Sequence, residues 1–146
     1  MKNKIIIITL AIFIVSVSMS SVFAEEARIG TRQFDVPNGY TISENGPDIV
    51  LTGNNQEITV TNTNMGHINV KTQMESEGYT YVSSSNEQKS SLFCEIMHFE
   101  KGNVHADAYV LSGPGAEFTI IAIDYSGNPI QGNLANAVDE IINDLV

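Results

Sequence analysis

The chain reads as an α+β domain: an antiparallel β-sheet meander, a short mid-chain helix, and a C-terminal amphipathic helix packed on the sheet. Two observations predict this. Residues 92–125 hold three β-rich runs separated only by tight glycine turns, and residues 133–146 carry one apolar stripe at helical spacing. Strands and helices segregated along the chain pack as a sheet covered by helices, not as alternating βαβ units.

The order of elements begins after residue 24. The opening, MKNKIIIITLAIFIVSVSMSSVFAEEA, places Lys2 and Lys4 before an apolar run from Ile5 to Val15 and ends in Val22-Phe23-Ala24. That is the layout of a secretory signal peptide over residues 1–24, cut after Ala24. The alternative is an uncleaved anchor, because Ile5 to Ala24 is free of charge and long enough to span a bilayer. Serines between Ser16 and Ser21 argue for cleavage, no cysteine near Ala24 offers a lipid attachment point, and the C-terminal IINDLV adds no second apolar span. The expected product is a secreted or extracytoplasmic, envelope-located domain, with contact to membrane only if the segment stays attached.

Residues 25–33 are polar and read as an extended segment preceding a single domain over 34–146. In FDVPNGYTI, Pro37 and Gly39 bracket Asn38 in a tight turn, and Asn45-Gly46-Pro47 makes a second. Asp48–Thr52 and Glu57–Thr61 are short strands around Gly53-Asn54-Asn55, a hairpin pattern. Ile68, Val70 and Met74 recur at helical spacing before Gly78, which predicts a helix near 69–77. A strand starts at Tyr79–Val82, and SSSNEQKSS (83–91) reads as a polar, mobile loop. Leu92–Glu100, Val104–Leu111 and Phe118–Tyr125 are strands, the last apolar at nearly every position and so buried on both faces. Leu134, Val138, Ile141, Ile142 and Leu145 then mark the buried stripe of the final helix, with Asn133 as its N-cap. Asp139 and Glu140 lie off that stripe, on a solvated face.

Charge narrows the partners. Loss of Lys2 and Lys4 leaves Arg28, Arg32, Lys71, Lys89 and Lys101 against 17 acidic residues. Five scattered cations cannot track a phosphate backbone, so nucleic acid and anionic lipid are excluded as ligands. One cysteine makes no internal disulfide, so an exported fold of this chain rests on its hydrophobic core. Cys94 sits in an apolar strand, where a thiol is buried and inert.

This layout resembles the Mog1/PsbP-like fold. The resemblance is carried by Phe34-Asp35-Val36-Pro37-Asn38-Gly39-Tyr40, by the meander from Leu92 to Tyr125, and by the closing helix ending Ile141-Ile142-Asn143-Asp144-Leu145, over about residues 32 to 146. Tyr40 stands where that family most often has tryptophan, and the chain has no Trp. The resemblance implies a non-catalytic binding or accessory domain, and it transfers no functional residue to this chain.

The densest chemistry is CEIMHFEKGNVH, residues 94–105. A two-residue Gly102-Asn103 loop suits a type II′ turn and pairs Lys101 with Val104, hence His98 with Asp107, Phe99 with Ala106 and Met97 with Ala108. Strand alternation sends Met97 into the core with Phe93 and Phe99, and leaves Cys94, His98, His105 and Asp107 on the other face. Cys94 lies two pleats from His98. His98, His105 and Asp107 are therefore the candidate ligands for a divalent transition metal such as zinc or copper. The plainer alternative is a cross-strand hydrogen bond between His98 and Asp107. No Gly-x-Ser-x-Gly elbow occurs, and no serine has a spacing from histidine and aspartate that predicts a triad. Gly113-Pro114-Gly115 precedes a strand and is a turn. Asp124–Asn128 imitates a calcium loop, but Pro129 occupies the position that needs glycine, so it is a turn too.

The expected function is thus an exported, non-catalytic accessory domain that binds a protein or envelope component and needs no resident cofactor. The alternatives are a metal-binding protein using the 92–111 hairpin face, and a hydrolase whose site no motif reveals.

Overall fold

The computed structural model describes residues 25–146, and the signal-peptide reading of residues 1–24 lies outside them. Within these residues, nine strands and two helices form an α+β domain. The strands are β1 (Glu26–Ile29), β2 (Arg32–Asp35), β3 (Thr41–Asn45), β4 (Asp48–Gly53), β5 (Gln56–Thr61), β6 (Thr80–Lys89), β7 (Leu92–Lys101), β8 (Val104–Ser112) and β9 (Thr119–Asp124). Helix α1 (Gly66–Ser76) falls between β5 and β6, and α2 (Gly132–Leu145) closes the chain. β1 and β2 pair alone; the other seven form an antiparallel sheet in the order β3-β4-β5-β9-β8-β7-β6. No helix among the described residues is long and apolar enough to cross a membrane.

The central strand β9 is where sequence and position agree best. Its pattern TIIAID is buried at five of six positions because helices cover both faces of the sheet there. On one face Ile58, Val60, Leu92, Cys94, Ile96, Leu111 and Ile120 pack with the α2 stripe of Leu134, Val138, Ile141, Ile142 and Leu145. The β1–β2 hairpin closes this core with Ala27, Ile29 and Phe34. Arg32 anchors it, donating from Nη1 to the carbonyls of Gly115 (2.6 Å) and Leu145 (2.7 Å). A cation at the last carbonyls of α2 also complements the helix dipole.

The opposite face has a smaller cover. Val70 and Met74 of α1 pack on Met97, Phe99, Ala106, Ala108 and Ile121. The helix stops as Gly78 predicts: Gly78 adopts φ +93° and donates to Glu75, while Tyr79 donates to Met74. This is a Schellman cap. Its start differs from expectation: the helix begins at Gly66 rather than near 69, and Ile68, assigned to the apolar stripe, is 77 % exposed. With only Val70 and Met74 buried, α1 lays a stripe one residue wide, and Ile68 falls outside it.

Two further expectations are corrected. Residues 83–89 are not a loop; they belong to β6, a ten-residue edge strand paired along its length with β7. A polar run reads as loop, yet an edge strand exposed on both faces needs no apolar alternation. Asn133 is not the cap of α2: the N-cap is Gln131, in extended conformation, and the helix starts at Gly132. The 92–111 hairpin, by contrast, keeps its expected register, with His98 opposite Asp107 and Lys101 opposite Val104. Gly102 at φ +60° supplies the conformation that the two-residue turn requires.

Candidate functional site

Three adjacent strands place polar side chains in a row on the α2 face, beyond the end of that helix's cover. His98 of β7 lies opposite Asp107 of β8 on one side and Ser83 of β6 on the other. Its Nδ1 is 2.7 Å from Asp107 Oδ1. A carboxylate only accepts, so Nδ1 carries the proton and donates, which leaves the Nε2 lone pair facing outward. Nε2 stands 3.3 Å from the hydroxyl of Ser85, the diagonal neighbour on β6. The result is a hydrogen-bonded chain of serine, histidine and aspartate across three strands.

Burial grades along that chain. Asp107 is only 7 % exposed, His98 half-buried and Ser85 open to solvent. Burial pushes the Asp107 carboxyl above its ordinary value, and the hydrogen bond and charge of His98, with that of His105, pull only partly against it. Beside the row is a hollow of about 280 Å³ lined by His98, His105, Asp107, Val82 and Ile130. His105 sits opposite Glu100 and Asp124 in the two flanking registers. The structure therefore joins His98 to Asp107 directly and places His105 along the same hollow without a hydrogen bond to either. Among the described residues, no group of three or more His, Cys, Asp or Glu side chains converges so as to hold a metal ion.

Cys94 shares the face but not the site. It is 1 % exposed, and burial pushes its thiol up to about 12, so it is protonated and unreactive. Asp124, the first residue of the calcium-loop imitation, instead holds its own turn: it accepts from the backbone N–H and the hydroxyl of Ser126. Burial raises its carboxyl, but those bonds and others from Gln56 and Asn128 carry it below the ordinary range.

The second feature lies on the α1 face. α1 begins at Gly66, and its His67 Nδ1 donates to the Glu95 carboxylate at 2.8 Å and 2.9 Å. Past Glu95 nothing in the described chain covers the sheet. Phe93, expected in the core beside Met97 and Phe99, is 72 % exposed. Alternation placed it on the right face; the helix ends before reaching it. Phe93, Val110, Ser112, Asn86 and Gln88 line a hollow of about 380 Å³ there. It opens beside the free edge of β6, whose residues 82–88 are all exposed.

Sequence reasoning missed Ser85 and the exposure of Phe93. Ser85 was legible only through the β6–β7 pairing, whose one sequence signal is the Tyr81-Val82 start of the strand. Comparison with protein-family models, with curated proteins and with solved structures finds no match to this chain.

Proposed function

We propose that the protein is an exported partner-binding domain that takes an extended segment of another protein along the free edge of β6. The observation that carries this reading is the adjacency of an open ten-residue edge strand and the uncovered Phe93 hollow. Strand addition uses the unpaired backbone groups of an edge for affinity and a neighbouring pocket for specificity. Small side chains at Ser83, Ser84 and Ser85 leave the edge sterically open. The Phe93 hollow would receive an apolar or aromatic side chain of the incoming segment, and Glu87 and Glu95 at its margin favour a basic residue beside it. The acidic excess disfavours a second copy of this chain, since like charges would face across the new pair. The pattern of residues 1–24 supports export, so the partner is sought among envelope or secreted proteins.

A photo-crosslinking side chain placed at Gln88 or Phe93, with Asn54 at a distant hairpin tip as control, tests this in a native envelope extract. Specific adducts from positions 88 and 93 and none from 54 are expected. Absence of adducts, or the same adducts from all three positions, removes the proposal. The competing reading is a divalent metal held by His98, His105 and Asp107, which all line one hollow but would have to draw together to ligate an ion. Zinc titration decides it, an affinity unchanged in His98→Ala sinking the metal site.

A further inference from the structure

We propose that Ser85 is an activated nucleophile, and that Ser85, His98 and Asp107 together cleave small neutral or cationic esters. The inference stands on the α2 face of the sheet and is independent of the Phe93 hollow. An alcohol is a weak nucleophile unless a base lies within hydrogen-bond reach and a third group orients that base. Both conditions are met. Ser85 Oγ is 3.3 Å from His98 Nε2, and His98 Nδ1 is 2.7 Å from Asp107 Oδ1. Asp107 is buried, so it holds one tautomer of His98 with little competition from water. The order of exposure suits the work: the nucleophile is open to solvent, the base is half-covered, and the orienting carboxylate is inside.

The step balances without any added reactant. Ser85 Oγ adds to the ester carbonyl carbon as its proton passes to His98 Nε2. The C–O bond to the alcohol then breaks, and the leaving oxygen takes that proton. Water, deprotonated by the same nitrogen, adds to the acyl carbon; the bond to Oγ then breaks, Oγ takes the proton back from Nε2, and the carboxylic acid leaves. Asp107 acts as a positioning residue throughout.

Stabilisation of the developing oxyanion needs N–H donors, and the free edge supplies them. Alternate residues of an antiparallel strand direct their N–H groups to opposite sides, and β6 has a neighbour on one side only. Among Ser84, Ser85 and Asn86, at least one N–H therefore points away from β7, unpaired by the sheet. The acyl group has room in the adjacent 280 Å³ hollow, against Val82 and Ile130. Glu87 and Glu100, with the acidic excess of the whole chain, disfavour anionic esters.

The test uses the purified full chain, an uncharged alkyl fluorophosphonate as probe, and mass spectrometry to locate the adduct. Ser85 should carry the label, and the neighbouring Ser83 and Ser84 should not. His98→Ala should slow labelling at least tenfold, and Asp107→Asn should do likewise while melting close to the parent temperature. The parent rate should rise with pH along a single ionisation that is lost in His98→Ala, a signature that a merely structural histidine does not produce. Folded parent protein unlabelled at Ser85, or labelled at the same rate in folded His98→Ala, overturns the proposal.

Discussion

Phe93 and Phe99 stand six residues apart in one strand and on one face, yet the structure gives them opposite duties. Phe99 is 1 % exposed beneath α1, and Phe93 is 72 % exposed beyond its end. A buried phenylalanine removes about 150 Å² or more from water, worth about 4 kcal/mol at ~25 cal/mol per Å². Phe99→Ala should therefore cost about 3–5 kcal/mol, the cavity included. At Phe93 little more than a quarter of that surface is covered, so the same substitution should cost only about 1 kcal/mol. At this chain length 1 kcal/mol is roughly 3–5 °C of melting temperature, so the two variants separate clearly in a thermal scan. Urea unfolding monitored by circular dichroism supplies the free energies. A Phe93→Ala penalty near that of Phe99→Ala would mean that the hollow is filled in the folded state, and the argument for an open docking surface would fail. A near-neutral Phe93→Ala that still folds also gives the binding experiments a variant whose defect is not one of stability.

Two further outcomes follow from buried titratable groups. Cys94, with its thiol raised to about 12 by burial, should react with an aromatic disulfide reagent at pH near 8 at least ~1,000-fold more slowly than in denaturant, because exposure requires global opening. Rapid labelling of native protein would contradict its burial. The same raised value means that its contribution to stability is complete below the ordinary thiol value and declines as pH climbs towards 12. Asp124, held below its ordinary range chiefly by Ser126 against the upward push of burial, has the reverse sign. Its stabilisation is present above the ordinary carboxylate value and is lost as pH falls through the lower folded value. Asp124→Asn should cost about 1 kcal/mol at neutral pH, with the gap from the parent shrinking in acid; an undiminished gap near about pH 3 would refute the assignment.

What the sequence made legible was governed by how local the determinant is. The 92–111 register follows from a two-residue glycine turn and strict alternation, so the pairing of His98 with Asp107 is legible in the sequence. The α2 stripe follows from spacing alone. Phe93 and Ile68 were misplaced for one reason: periodicity says which face a side chain takes, whereas its burial depends on how far a distant element extends. α1 is too short and too narrow to cover either. β6 was hidden more deeply, because apolar–polar alternation is absent from a strand that is polar on both faces and held only by β7. Losing β6 also lost Ser85, and with it the hydrogen-bonded row on the α2 face.

The state of β6 bears on function as much as its existence. A long bare edge invites uncontrolled pairing, and proteins usually blunt it with bulges, lysines, prolines or a covering segment. Here the protection is confined to the ends. A register shift between Tyr81 and Ser83 disturbs one end, and at the other Lys89 is tied at 2.8 Å to both Glu87 and Asp139 of α2. Between them, Ser83 to Gln88 carry no proline, lysine or cover. The unprotected stretch is also the one flanked by the Phe93 hollow on one face and by His98 and Asp107 on the other. An edge left bare only where both candidate sites meet it is better explained by use than by neglect.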